Sequence, residues 1–141
     1  MNISARVENH RDNHAVTLST NGREHSLSIP CKPEGFGSSV NGGELLFLAL
    51  ATCYCNDLYR EARKRNIELH SVRVEVNGEF GSEGEGARNI RYSASIDGAA
   101  PQEDLIKLMR HTDTVAEIQN TLRASAPVTL LLCEAQTVSG S

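Results

Sequence analysis

The stretch Asn41–Asn66, NGGELLFLALATCYCNDLYREARKRN, decides how the rest of the chain is read. It opens on a break at Asn41-Gly42-Gly43, runs apolar from Leu45 to Cys55, then turns polar and basic. Glycines before and strong helix formers after predict one long helix. About 24 residues at 1.5 Å each give roughly 36 Å, enough to cross a small domain. Apolar side chains fill almost every position of its first half, so that half is expected to be buried all round. In the second half the apolar stripe narrows, and Arg60, Glu61, Arg63, Lys64 and Arg65 are expected to face water. Cys53 sits where the two halves meet.

Ahead of the helix, NISARVE (Asn2–Glu8) alternates Ile3, Ala5 and Val7 with polar residues, the period of a half-buried strand. HAVTLS (His14–Ser19) and EHSLSIP (Glu24–Pro30) follow, joined by turns at Arg11-Asp12-Asn13 and Asn21-Gly22. The second of these is a strong hairpin signal. CKPEGFGSSV (Cys31–Val40) is a Gly, Ser and Pro-rich loop leading into the helix.

Beyond the helix, Leu69–Phe80 and Ile90–Ile96 read as strands around an acidic, glycine-rich tip, Gly81–Asn89. Pro101–His111 predicts a short amphipathic helix with its proline near the first turn. Thr112–Ser125 predicts another, with Thr112 or Asp113 as N-cap. PVTLLLCE (Pro127–Glu134) is almost continuously apolar and is expected as a final strand covered on both faces. The fold class is α+β in the order βββ-α-ββ-αα-β, one domain over residues 1–141.

Composition excludes several functions. A net charge of −4 argues against a nucleic-acid surface, which shows clustered excess Lys and Arg. The apolar run of the helix is about half the ~20 residues of a membrane span. The N-terminal run MNISARVENHRDNH is polar and unlike a secretory leader. Four cysteines then read as thiols, and the expected compartment is the cytoplasm.

The layout, with Gly43-Glu44-Leu45-Leu46 followed by Ala49-Leu50-Ala51-Thr52-Cys53, resembles the OsmC/Ohr family of organic hydroperoxide reductases and osmotically inducible proteins. Arg11-Asp12 followed by His14-Ala15-Val16 resembles the turn that carries the reductases' arginine. Ile118-Gln119-Asn120-Thr121-Leu122 followed by Pro127-Val128 resembles the segment that holds the family's second cysteine. The resemblance implies an intertwined homodimer with cysteine pockets at the subunit boundary. It also implies a first cysteine that attacks peroxide, a second that resolves the sulfenic acid, an arginine beside the thiolate and a glutamate holding that arginine. Cys53 matches the first cysteine and Arg11 the arginine. Two positions depart from the pattern: Ala116 stands where the resolving cysteine belongs, and Gly43 where the glutamate falls. Glu44 is nine positions from Cys53, about half a turn away from its face, and better matches an acidic position of the wider OsmC-like group.

Thiol chemistry at Cys53 depends on its surroundings, because the thiolate is the nucleophile and a nearby cation lowers its pKa from about 8.5. On the helix Asp57 at i+4 opposes a thiolate and Arg60 at i+7 favours one, so the helix alone leaves the balance open. Cys55 lies about 200° round the helix from Cys53 and, with Cys133 in the last strand, is expected in the core. Cys31, in the loop before the helix, is the other cysteine able to meet Cys53. Leu46, Ala49 and Leu50 are expected to wall a pocket for an apolar substrate tail.

Two function classes remain open. One is a cysteine-based peroxidase that reduces organic hydroperoxides through Cys53 and Arg11 with an external thiol reductant. The other is a non-peroxidase OsmC-like protein binding a small apolar or electrophilic ligand at a dimer interface. Neither a cofactor nor a metal is expected.

Overall fold

Helix α1 (Gly42–Lys64) starts where Asn41 and Glu44 cap it reciprocally. Glu44 N–H donates to Asn41 Oδ1 at 2.8 Å, and Asn41 N–H donates to Glu44 Oε1 at 3.0 Å. This capping box satisfies two backbone donors that a helix N-terminus leaves free. Glu44 thus has a structural role, and the N-x-x-E spacing carried the signal. A Cβ at Gly43 would lie 2.8 Å from Phe80 Cε2, so any larger residue there would have to displace that ring.

The computed structural model describes residues 1–138. Before α1 come β1 (Ile3–His10), β2 (Asn13–Thr20) and β3 (Arg23–Ser26). After it come β4 (Leu69–Phe80), β5 (Ala87–Gly98), α2 (Gln102–Val115) and α3 (Glu117–Arg123). β1, β2 and β3 form an antiparallel sheet in that order, with Val7 opposite Val16 and Thr20 opposite Arg23. Asn21 (φ 50°) and Gly22 (φ 81°) supply the positive φ values that a two-residue hairpin needs. β4 and β5 pair as a second sheet.

The chain divides into two compact units. The first comprises Met1–Thr52 and Val74–Ala94, and holds the three-stranded sheet and the start of α1. Here Phe47 stacks on Phe80 at 6.0 Å between centroids, and Val16 is buried. The second begins at Cys53–Arg73 and resumes at Ser95, and its core is helical. Tyr54, Leu58 and Ala62, one helical turn apart on α1, are buried together with Leu108 and Thr112 of α2. Tyr54 Oη donates to Met109 O at 2.8 Å, tying the two helices through a part-buried hydrogen bond.

Several expectations are corrected. The all-apolar first half of α1 is not buried all round: Leu48 is 56% exposed and Ala49 is exposed, while the polar half carries the buried stripe. Periodicity records which side chains avoid water, and this chain alone does not supply the cover. The same holds for β1, whose Ile3 and Val7 are 67% and 59% exposed rather than half-buried. Thr112 is interior to α2 and donates its hydroxyl to Leu108 O at 2.8 Å, so it caps nothing; Ala116 occupies the N-cap position of α3.

Pro127–Glu134 forms no strand among the described residues, and Leu131 is 93% exposed. A strand needs a neighbour to take its N–H and C=O groups, and neither sheet includes this segment. Cys133, expected in the core, is accordingly exposed. Among the described residues no helix is long and apolar enough to cross a membrane.

Candidate functional site

Cys53, Asp57 and Arg60 stand at i, i+4 and i+7 on α1, and at about 100° per residue they share one face. α2 ends at Val115; an extended residue, Ala116 (φ −74°, ψ 111°), turns the chain into α3. Ala116 is fully buried, and the next residue, Glu117, reaches the Cys53 face of α1.

The contacts at this face are reciprocal. Cys53 Sγ donates to Asp57 Oδ2 at 3.5 Å and lies 3.7 Å from Glu117 Oε2. Arg60 Nη1 donates to the other oxygen of each carboxylate, Asp57 Oδ1 at 3.0 Å and Glu117 Oε1 at 2.9 Å. Arg60 Nε donates to buried Glu61 at 2.9 Å, and Glu61 also meets Lys64 at 2.9 Å and His111 at 3.0 Å. A backbone N–H from Ile118 reaches the Cys53 sulfur.

Burial, then the negative charge of Asp57 and of Glu117, raises the Cys53 pKa above its ordinary 9.0, against the opposing Ile118 N–H. Burial and the hydrogen bond with Glu117 push Asp57 up to about 6, opposed by Arg60. Glu117 moves the other way, held low by the Asp57 hydrogen bond and by Arg60. The two carboxyls therefore titrate as a pair in which Asp57 is the one that takes up a proton first as pH falls. Cys53 rests as a thiol, with a proton acceptor and a guanidinium beside it.

Arg11 lies in the first unit, in the β1–β2 turn, its side chain 73% exposed. Its guanidinium is 4.0 Å from Asp12 and 5.8 Å from the centroid of the Phe36 ring. Leu46 is half-buried, Ala49 exposed and Leu50 buried. Cys31 and Cys55 are half-buried free thiols, and the backbone at Cys31 bridges to Ser38. Glu117 is the site residue that sequence reasoning did not single out. Its position directly after Ala116, in the segment resembling the family's second-cysteine region, was the available signal.

Ligand atoms of Cys53, Asp57 and Glu117 lie within 4.8 Å of one another, a spacing that could hold a metal ion. Arg60 already neutralises both carboxylates, which competes with a cation there.

A family model described as OsmC-like protein matches residues 35–131. No curated protein matches the chain. Among solved structures, an OsmC-like protein from Mycoplasma pneumoniae aligns with TM-score 0.60 and 17% identity, over 86% of each chain. An organic hydroperoxide resistance protein from Elizabethkingia anophelis aligns with TM-score 0.56 and 21% identity, over 87% of this chain and 89% of that one. The organic hydroperoxide resistance protein OhrB of Bacillus subtilis aligns with TM-score 0.54 and 14% identity, over 87% and 91%. At these identities the likeness is one of fold.

Proposed function

Because the chain belongs to the OsmC-like family, we propose that it is a thiol-dependent reductase of organic hydroperoxides, with Cys53 as nucleophile and an external thiol as reductant. The observation that carries this reading is the part-buried free thiol of Cys53, with the Asp57 carboxylate at hydrogen-bonding range and the Arg60 guanidinium bonded to that same carboxylate. Structural neighbours named for organic hydroperoxide resistance support it. Attack on the outer peroxide oxygen yields a Cys53 sulfenic acid and an alcohol. Ala116 leaves the start of α3 without a thiol, so a small external thiol completes the cycle through a mixed disulfide. Arg11 as a second cation, Leu46, Ala49 and Leu50 as receivers of the apolar tail, and a homodimeric assembly belong to the same proposal.

The test is stoichiometric cumene hydroperoxide followed by product mapping. Sulfenic acid at Cys53, rescued by a small thiol and climbing to sulfinic acid with excess peroxide, is the expected outcome; Arg11→Ala should slow its formation. A high-yield Cys31–Cys53 disulfide would make the loop cysteine the resolver. An inert Cys53 would favour the second reading, a binding protein for an apolar or electrophilic ligand. That reading draws on one observation: both neighbouring carboxylates favour the protonated thiol over the thiolate.

A further inference from the structure

The division of oxygens between Arg60 and Cys53 has a chemical consequence. Arg60 holds Oδ1 of Asp57 and Oε1 of Glu117, which leaves Oδ2 and Oε2 turned to the same sulfur. A thiol that rests protonated must lose its proton before or during attack, and the alkoxide expelled from a hydroperoxide must gain one. A single group beside the sulfur can serve both needs.

We propose that Asp57 takes the proton of Cys53 through Oδ2 and returns it to the departing oxygen of the hydroperoxide, a role that rests on the reductase reading above. In this step the sulfur electron pair attacks the outer oxygen of ROOH, forming the S–O bond as the O–O bond breaks. The S–H proton passes to Asp57. The leaving RO⁻ takes that proton and departs as ROH. Cys53–SH and ROOH thus become Cys53–SOH and ROH; sulfur is oxidised by two electrons, the peroxide is reduced, and Asp57 ends as it began.

Asp57 suits this role better than Glu117. It is the nearer to the sulfur, at 3.5 Å against 3.7 Å, and is largely buried whereas Glu117 is exposed. General acid–base catalysis is most effective when the group titrates close to working pH. Asp57, at about 6, lies near it, while Glu117 is held low and binds a proton poorly. The charged and titratable groups facing Asp57 are Cys53 and Arg60 from α1 and Glu117 from α3. His111 of α2 is directed to Glu61 instead. Arg60 fixes the carboxylate so that Oδ2 stays aimed at the sulfur.

The decisive experiment compares two reactions of one thiol in wild type and Asp57→Asn. Iodoacetamide alkylation needs a thiolate but no proton for its leaving iodide; reduction of cumene hydroperoxide needs both. Loss of the neighbouring negative charge should make Cys53 of Asp57→Asn alkylate faster at pH 7. The same variant should form sulfenic acid about a hundredfold more slowly. Asp57→Glu should recover part of the peroxide rate. Wild type should also show a peroxide rate rising through pH about 6, absent from its alkylation profile, a readout that does not depend on the variants folding. Rates that move in the same direction, or a peroxide rate unchanged in Asp57→Asn, would overturn the relay alone. A wild-type Cys53 that alkylates but ignores every hydroperoxide would remove the reductase reading, and the relay with it.

Discussion

Arg60 Nη1 lies 2.9 Å from Glu117 Oε1, a contact that joins the second half of α1 to the first residue of α3. The same guanidinium holds Asp57 and Glu61, so one cation organises three carboxylates around the face that carries Cys53. Hydrogen bonds between charged groups that are partly desolvated are worth more than exposed pairs, and Asp57 and Glu61 are both buried.

Replacing this cation should therefore affect both the fold and the thiol. Arg60→Gln is expected to cost about 2 kcal/mol of stability. It should also raise the Cys53 pKa further, because Asp57 and Glu117 would then act on the sulfur uncompensated. Urea denaturation reads the first effect and pH-resolved alkylation of Cys53 the second. Faster alkylation at pH 8 in Arg60→Gln would contradict the assignment.

Acid should weaken the second unit chiefly through Glu61. Hydrogen bonds from Lys64, then Arg60 and His111, lower its pKa from 4.5 to about 2. A folded-state pKa below the unfolded one stabilises above the unfolded value, and the contribution disappears as pH falls through the folded one. The window runs from pH about 4.5 down to about 2, and the shift corresponds to roughly 3 kcal/mol. Asp57 and Glu117 shift in opposite directions and largely cancel. The fall in urea midpoint between pH 6 and pH 3 should be smaller in Glu61→Gln than in wild type, and an equal fall would refute the assignment.

Ala116 offers a gain-of-function test. The residues after it, Glu117 and Ile118, both reach the Cys53 sulfur. Ala116→Cys is expected to trap the oxidised Cys53 as an internal disulfide and to protect it from sulfinic acid under excess cumene hydroperoxide. Mass spectrometry of the peroxide-treated variant distinguishes the disulfide from continued over-oxidation, and the latter would show that position 116 cannot reach the sulfur.

Assembly is the remaining prediction. Ile3, Val7 and Leu48 in the first unit, and Val128, Leu130, Leu131 and Leu132 in the second, are all more than half exposed in the single chain. A homodimer with a large apolar interface should form at micromolar concentration. Sedimentation velocity giving a well-folded 15.3 kDa species would refute it.

How far the sequence reached can be judged residue by residue. The extent of α1, the Asn21-Gly22 hairpin and the range Leu69–Phe80 were legible because capping, turn chemistry and side-chain period are local properties. So was the shared face of Cys53, Asp57 and Arg60, which follows from helical geometry alone. What the sequence could not determine was the sign of the electrostatic balance at Cys53. On α1 an acid and a base oppose one another, and the outcome depends on Glu117, more than sixty positions away, and on how far each group is withdrawn from water. Nor could apolar patterning decide whether Leu48 or Leu131 finds cover, since hydrophobicity is a property of the side chain while burial requires a second surface. Only the tertiary structure decided these points: it brought α3 against α1, gave the thiol two carboxylate neighbours, and set Arg60 between them.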